Sequence, residues 1–313
     1  MAQKGAYFYL VTKVYILIFI KGVQMKKNVL LTGASGGFGR LIVEKLLKEG
    51  HDVVATMRDV SGKNKKLGEQ FTNLGAKVFE MDVTSDKSVS KAVAQILGNH
   101  RKIDVLINNA GVGVLGLQEC FTTEDWKAIF DVNVFGVQRV CREVIPHMRK
   151  NREGLIINTS SLLGRMTVPF YGPYNASKWA LEAMSENYRT ELSQSGIEVC
   201  IVEPGGYPTS FIENLMRPSD SARSIEYGDL GQMPEGFLKG FEEALVSNPE
   251  QDPRKVAEAF SSLIAQDKGQ RSFRTVIDKM GMGVHIEPYN QSLAQLTAGV
   301  YGAFGISHLL KIS

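Results

Sequence analysis

From Val29 onward, short apolar runs rich in β-branched residues alternate with stretches of helical period. Residues 29–32 read as a strand that runs into glycines, and apolar positions at helical spacing follow over 41–47 until Gly50 stops them. Further strands are expected at 53–57, 77–81 and 105–108, with a helix near 88–97 between the last two. A long helix is expected over 125–149, with Pro146 bending or ending it. A fifth strand at 155–159 leads to a second long helix at 174–192, closed by Gly196. A sixth strand at 198–202 is stopped by Pro204-Gly205. Strand and helix in strict alternation imply βαβ units and a parallel sheet.

Between 208 and 253 the pattern loosens into Gly, Pro and Ser among isolated aromatics. We read this stretch as a mostly helical, mobile, substrate-covering insertion. Asp252-Pro253 opens a helix over 255–264 with proline in its first turn, and 275–277 is a candidate seventh strand. The apolar, glycine-bearing tail from Gln291 is a candidate docking segment for another subunit. With no internal repeat and no linker, residues 25–313 read as one domain. Residues 6–20 are almost wholly apolar but shorter than the roughly 20 residues of a spanning helix. For residues 1–24 three readings stand open: a signal peptide, against which a small-residue cleavage site is lacking; an interfacial anchor; or an over-extended start upstream of Met25.

Composition changes this picture little. The chain has 313 residues, 43% hydrophobic and 22% charged, an ordinary globular balance with enough length to bury a large core. Thirty-six basic residues against 33 acidic ones give a net charge of +3, too small an excess to point to nucleic acid or an acidic membrane. Cys120, Cys141 and Cys200 lie far apart with no redox or metal-finger spacing, and the five histidines are scattered, so no metal site is expected. A reduced, cytoplasmic setting fits best.

Candidate chemistry begins in the first strand-to-helix turn, Thr32-Gly33-Ala34-Ser35-Gly36-Gly37-Phe38-Gly39. Dinucleotide binding needs a tight turn, a backbone that can approach the pyrophosphate, and close helix–strand packing. Gly33, Gly37 and Gly39 suit those roles, and the following helix aims its free N–H groups at the phosphates. An ordinary glycine-rich turn is the bland alternative when this motif is taken alone.

Two more motifs follow in order: Asn108-Asn109-Ala110-Gly111 after the fourth strand, and Tyr174-x-x-x-Lys178 on a later helix. Together the three resemble the short-chain dehydrogenase/reductase family, over about residues 29–211. The resemblance implies an α/β fold, a single doubly wound Rossmann domain with a mostly parallel sheet flanked by helices. It implies an oxidoreductase that transfers a hydride between nicotinamide and a ketone, aldehyde or secondary alcohol.

Tyr174 and Lys178 are four apart on a helix and share a face. Hydride addition to a carbonyl leaves an alkoxide that needs a proton, and a phenol of pKa about 10 gives it poorly at neutral pH. Lowering it by about three units takes roughly 4 kcal/mol, which one ammonium about 4 Å away at an effective dielectric near 20 supplies in magnitude. The resemblance implies two further members. A serine thirteen residues before the tyrosine would hydrogen-bond the substrate oxygen; Ser161 meets that spacing and Ser160 is its neighbour and runner-up. Asn133, in mid-helix, would bend the helix and hold a water joined to the lysine.

The same resemblance assigns cofactor contacts to Gly33, Ser35, Gly37, Phe38 and Gly39 in the loop, and to Asp82 and Val83 after the third strand. It adds Asn109 on the adenosine side, Lys178, and the segment from Pro204 to Thr209, whose threonine would hold the carboxamide. At the end of the second strand, Met57-Arg58-Asp59 places no acid where NAD-preferring relatives carry aspartate. Arg58 can pair with a 2′-phosphate, so NADP(H) is favoured, while Asp59 keeps NAD(H) open. Met166, Phe170, Tyr171, Tyr207, Phe211, Leu215 and Met216 are expected to line a pocket for a hydrophobic substrate. An acyl-carrier ketoreductase, which would show a basic groove, and a non-catalytic dinucleotide-binding regulator are the alternatives. A homodimer or homotetramer through the helices of Asp125 and Tyr174 is the expected assembly.

Overall fold

The computed structural model describes residues 25–100 and 102–313, so the readings of residues 1–24 lie outside the described residues. Seven strands form one sheet: β1 (Asn28–Leu31), β2 (Asp52–Met57), β3 (Lys77–Glu80), β4 (Val105–Asn108), β5 (Gly154–Thr159), β6 (Ile197–Pro204) and β7 (Arg274–Ile277). Their order is β3-β2-β1-β4-β5-β6-β7 and every pairing is parallel. Strand order reverses between β1 and β4, and in open α/β sheets ligands bind beyond the carboxyl ends of the strands at such a point.

Strand side chains alternate between two faces, and each face is covered by helices. Val29 and Leu31 join one core with α1 (Gly37–Lys48), α2 (Lys65–Asn73) and the later α10 (Arg254–Ala265), built on Ile42, Leu46, Phe71 and Phe260. Leu30 joins the other, with α3 (Asp86–His100), α5 (Gly136–Asn151) and α6 (Gly172–Ser193), built on Val93, Val144, Met148 and Leu181. Period-2 strands against period-3.6 helices thus explain both layers from the sequence. A third cluster, with Val114, Leu115, Tyr174 and Leu215, sits at the carboxyl edge of the sheet and forms the floor of the site. Cys120, Cys141 and Cys200 are all buried and free.

Two expectations about elements need correction. Pro146 does not end its helix; it lies inside α5, which stops at Asn151 with Arg152 in the left-handed region at φ 51°. The interruption comes earlier, where α4 (Thr123–Phe130) passes into a π-helical turn, Asp131–Phe135, before α5 begins. Asn133, which the resemblance implied would bend the helix, sits in that turn with its side chain tied to the backbone of Val112. The second correction is α2, which the pattern did not predict: Lys-Lys-Leu-Gly-Glu-Gln-Phe-Thr-Asn has few apolar residues, and the helix is held by Leu67 and Phe71 packing on the first core.

The stretch 208–253 is helical as expected, comprising α7 (Ser210–Glu213), α8 (Arg223–Glu226) and α9 (Asp229–Ser247). The tail from Gln291 belongs to α11 (Gly283–Ala303), largely exposed. Among the described residues no helix is long and apolar enough to cross a membrane.

Candidate active site

The glycine turn is shaped by what surrounds it. Gly33 has φ +68°, and a Cβ there would lie 2.6 Å from Cα of Ala110, so the turn and the β4 exit touch backbone to backbone. At Gly37 a Cβ would lie 2.5 Å from Cβ of Thr209, and at Gly39 it would collide with the carbonyl of Gly33. Thr32 Oγ1 accepts the N–H groups of Asn109 (3.1 Å) and Ala110 (3.2 Å), locking β1 to the β4 exit. Gly36, the N-cap of α1, makes no side-chain cap, and no acid sits in the first turn. That helix end therefore presents uncompensated N–H groups, a fit for phosphate.

The structure refines several of the expected contacts at this end. Asn109 donates its amide to the carbonyls of Thr32 (3.2 Å) and Gly33 (3.1 Å), so it braces the loop while also lining the cavity. Ser35 is exposed in the turn. Asp82 accepts from the N–H and the hydroxyl of Thr84, and buried Val83 packs where Gly136 leaves room. Arg58 is exposed at the end of β2. Asp59, with φ 51°, turns its carboxylate inward to accept the N–H of Lys63 at 2.8 Å.

Ser160 and Ser161 leave β5 side by side and point differently. Ser161 Oγ accepts the N–H of Leu163 (3.1 Å), leaving its own O–H free to donate, and it lines the cavity together with the Tyr174 phenol. Ser160 Oγ has no partner among the described residues and faces Gly164. Lys178 is 4% exposed; its ammonium donates to the Thr159 carbonyl at 2.8 Å and lies 5.6 Å from the centre of the Tyr174 ring. Asn133 accepts the N–H of Val112 (2.9 Å) and donates to Ser177 Oγ (3.0 Å). A Cβ on Gly111 would lie 3.4 Å from Asn133 Oδ1 and 3.7 Å from Lys178 Nζ, so the two side chains meet at that glycine.

Electrostatics here depart from the expectation. Burial pushes the Tyr174 phenol up to about 12, opposed by the Ser161 hydroxyl, and burial pulls Lys178 down to about 8, opposed by Glu182. Among the chain's own groups, desolvation of the phenol outweighs the effect expected of the lysine one turn away.

One cavity of about 220 Å³ joins these parts. Ser160, Ser161, Tyr174 and Lys178 line one side; Phe38, Pro204, Tyr207 and Thr209 line the side nearer the glycine turn. Tyr171, Phe211 and Leu215 also line it, as expected, but Met166, Phe170 and Met216 do not. Phe170 is turned away by φ 73°, toward Phe237 and an outer groove beside Trp126 and Trp179. Met216 is held by backbone pairing with Gly113 and Leu115. Pattern reading missed Phe237 and Phe241 of α9 and Met282 before α11, which complete the apolar wall. For Phe237 and Phe241 the only sequence signal is an aromatic residue inside the insertion, too weak to assign a facing, and Met282 carries none.

Comparison with known proteins agrees with this layout. Residues 27–219 match the family model described as short chain dehydrogenase. The chain is 36% identical over 242 residues to a 3-ketodihydrosphingosine reductase of Bacteroides thetaiotaomicron, covering 76% of this chain and 83% of the relative. It is 33% identical over 261 residues to retinol dehydrogenase 8 of Bos taurus, covering 80% and 81%. Among solved structures, a short-chain dehydrogenase from Streptomyces avermitilis superposes with TM-score 0.70 at 27% identity, over 90% of this chain and 98% of that one. A Burkholderia phymatum short chain dehydrogenase/reductase in complex with NAD gives 0.68 at 26% identity, over 81% and 89%. The closed form of a serine dehydrogenase complexed with NADP+ gives 0.66 at 27%, over 80% and 94%. With the motifs, the parallel sheet and the family match all in one register, this chain belongs to the short-chain dehydrogenase/reductase family of oxidoreductases.

Proposed function

We propose that this enzyme is an NADP(H)-preferring carbonyl reductase, or alcohol dehydrogenase in reverse, for bulky hydrophobic substrates, with Tyr174 as general acid and base. The observation that carries the reading is that Ser161, Tyr174 and Lys178 converge on one apolar cavity, with Lys178 one turn further along the same helix as Tyr174. Gly33, Ser35, Gly37, Phe38, Gly39, Asn109, Lys178, Pro204 and Thr209 would hold the dinucleotide, with Asp82 and Val83 bordering its adenine end. When bound, the nicotinamide supplies the hydride, and its oxidised form adds a positive charge that favours phenolate.

In reduction, the Ser161 hydroxyl donates to the substrate oxygen, where negative charge develops. Tyr174 gives that oxygen its phenolic proton, the O–H bond of the phenol breaking as the alcohol O–H forms. The Lys178 ammonium stabilises the phenolate left behind, and Asn133 fixes the backbone beside it. In oxidation the same proton runs back. The apolar lining suits a long-chain or polycyclic ketone, and the reductase of a ketosphingoid and the retinol dehydrogenase among the relatives act on molecules of that character.

NADP(H) is supported by Arg58, exposed at the β2 exit, and by Asp59, whose carboxylate is spent on its own turn. An acyl-carrier substrate is disfavoured because the helix carrying Phe237 and Phe241 also bears Glu235, Glu242 and Glu243. A homodimer or homotetramer through α4 and α6 belongs to the proposal, and a monomer in light scattering would remove it.

The test is NADPH oxidation with 3-ketodihydrosphingosine, retinal and a ketosteroid. Tyr174→Phe should retain cofactor binding, read by quenching of tryptophan fluorescence, and lose at least about a hundredfold in turnover. Full turnover in that variant would show that the proton comes from elsewhere. Arg58→Ala should cut the NADPH-over-NADH ratio of kcat/KM by about tenfold or more, as expected for losing a charge-assisted pair. An unchanged ratio would move the phosphate contact to another residue.

A further inference from the structure

Behind the serine loop lies a buried ionic cluster that the proposed proton transfer does not use. Glu182 is 1% exposed and sits on α6 one turn after Lys178; Glu203 is fully buried near the end of β6, next to Pro204. Arg165, four residues past Ser161, pairs with Glu182 and reaches Glu203 at 3.2 Å. Arg274, the first residue of β7, reaches Glu182 at 3.0 Å and Glu203 at 3.5 Å. Asn290 of α11 donates to the other oxygen of Glu203 at 2.6 Å. Glu186, half-buried, pairs with Arg274 at the rim. The elements that carry the serine, the tyrosine and lysine, and the Pro204 segment are thus pinned to one point.

Two features direct this cluster at Lys178. First, Gly164 lets the parts converge: a Cβ there would lie 2.8 Å from Ser160 Oγ, 3.1 Å from Cγ of Glu182 and 3.3 Å from the Lys178 carbonyl. Second, both arginines bind Oε2 of Glu182, while Oε1 is buried with no donor among the described residues. Around the ammonium, the neighbours are the Thr159 carbonyl from β5, Asn133 from the π turn, and Tyr174 from α6 itself, none of them charged. Burial lowers the Lys178 pKa, and the Glu182 carboxylate, one turn further along α6, opposes that effect. Burial and the adjacent Glu182 push the Glu203 carboxyl above the usual carboxylate range, opposed by Arg165 and Arg274.

We propose that Glu182 is a positioning residue for Lys178: a counter-charge locked by Arg165 and Arg274 that keeps the ammonium charged on the Thr159 carbonyl inside a dry pocket. A buried lysine without such a partner tends to shed its proton. This rests on the reading of Tyr174 and Lys178 given above, but its test does not need turnover. In protein labelled with 13C-lysine and free of cofactor, the Lys178 resonance, assigned with Lys178→Arg, should titrate near 8. Glu182→Gln keeps the shape and removes the charge, and should lower that midpoint by about one pH unit, the lower end of what a nearby opposite charge supplies. Glu186→Gln, which takes one carboxylate from the same arginines at the rim, should leave it in place.

Because a glutamine facing two guanidiniums can cost the fold, Glu182→Asp is the second variant. It keeps the charge one methylene further off, and a smaller shift in the same direction is expected. An unmoved Lys178 midpoint in whichever variant folds overturns the proposal, as does an equal shift in Glu186→Gln. The two readings fail separately: full turnover in Tyr174→Phe sinks the proton-transfer assignment, whereas an unmoved midpoint sinks only the role of Glu182.

Discussion

Lys178 is a charge kept where water would normally be required. Its side chain is 4% exposed and donates to the Thr159 carbonyl, and burial brings its pKa from 10.5 down to about 8. A lysine depressed in the fold weakens stability while it is charged in both states, that is below about pH 8. The penalty is relieved as pH rises from about 8 to 10.5, where the unfolded chain still holds the proton and the folded chain has lost it. A shift of that size corresponds to roughly 3 kcal/mol, partly offset by about 1 kcal/mol for the hydrogen bond to Thr159. Lys178→Met should therefore raise the melting temperature by a few degrees at pH 7 while abolishing turnover, with the gain shrinking toward pH 10. Differential scanning calorimetry across that range checks it, and a destabilised Lys178→Met at pH 7 would mean that packing and the ammonium's hydrogen bond outweigh its desolvation. At this scale the sequence was informative about identity and poor about energetics. The spacing from Tyr174 to Lys178 put both on one face, yet the direction of each pKa depended on burial that only the folded chain displays.

Elements show the same division. Strands β4 and β5 were legible because three consecutive branched apolar residues bounded by polar and turn residues pack readily in a sheet covered on both faces. Helix α2 was not, since its stability comes from Leu67 and Phe71 reaching a core assembled by distant segments. The interruption at Asn133 was expected only through the family resemblance, because a side chain that bonds a backbone 21 positions away leaves no local signature of its own. The glycine turn lies between these cases: its motif is plain, while the contact that makes Gly37 necessary is with Thr209, far along the chain. An alanine there would press on the threonine at 2.5 Å, forcing apart the turn and the segment that together border the cavity. Gly37→Ala should weaken NADPH binding by about tenfold to a hundredfold, the scale of 1–3 kcal/mol overpacking. Gly98→Ala, in α3 with nothing within 4 Å, should bind as the parent does and gain about 0.5–1 kcal/mol in stability. Calorimetric titration with NADPH separates the two, and equal affinities would show that the Thr209 segment yields freely.

At the scale of the whole molecule, the sheet and the insertion divide the labour of the site. The sheet edge supplies the polar groups, on elements fixed by two cores, and the insertion supplies the apolar cover. Phe241 of α9 lies directly over Gly206, where a Cβ would strike its ring, and Phe237 stacks edge-on against Phe170 at 5.8 Å and Tyr171 at 6.3 Å. That cover was legible in the sequence only as a loosened pattern, because which aromatic of an amphipathic helix faces inward is decided by how the helix docks. Its consequence is a division of effects by variant. Truncating Phe241 leaves Ser161, Tyr174 and Lys178 untouched and removes a wall of the cavity, so the chemical step should survive while the size of acceptable substrate changes. Phe241→Ala should raise KM for a small aryl ketone several-fold, since apolar contact worth about 1–3 kcal/mol is lost on that side. It should shift the ratio of kcat/KM for a ketosteroid over that aryl ketone upward by about tenfold, with kcat for the better substrate within a few-fold of the parent. Steady-state kinetics on the two ketones decides it: a uniform fall in kcat for both, with the ratio unmoved, would place Phe241 in the support of the sheet edge rather than in the wall that selects substrate.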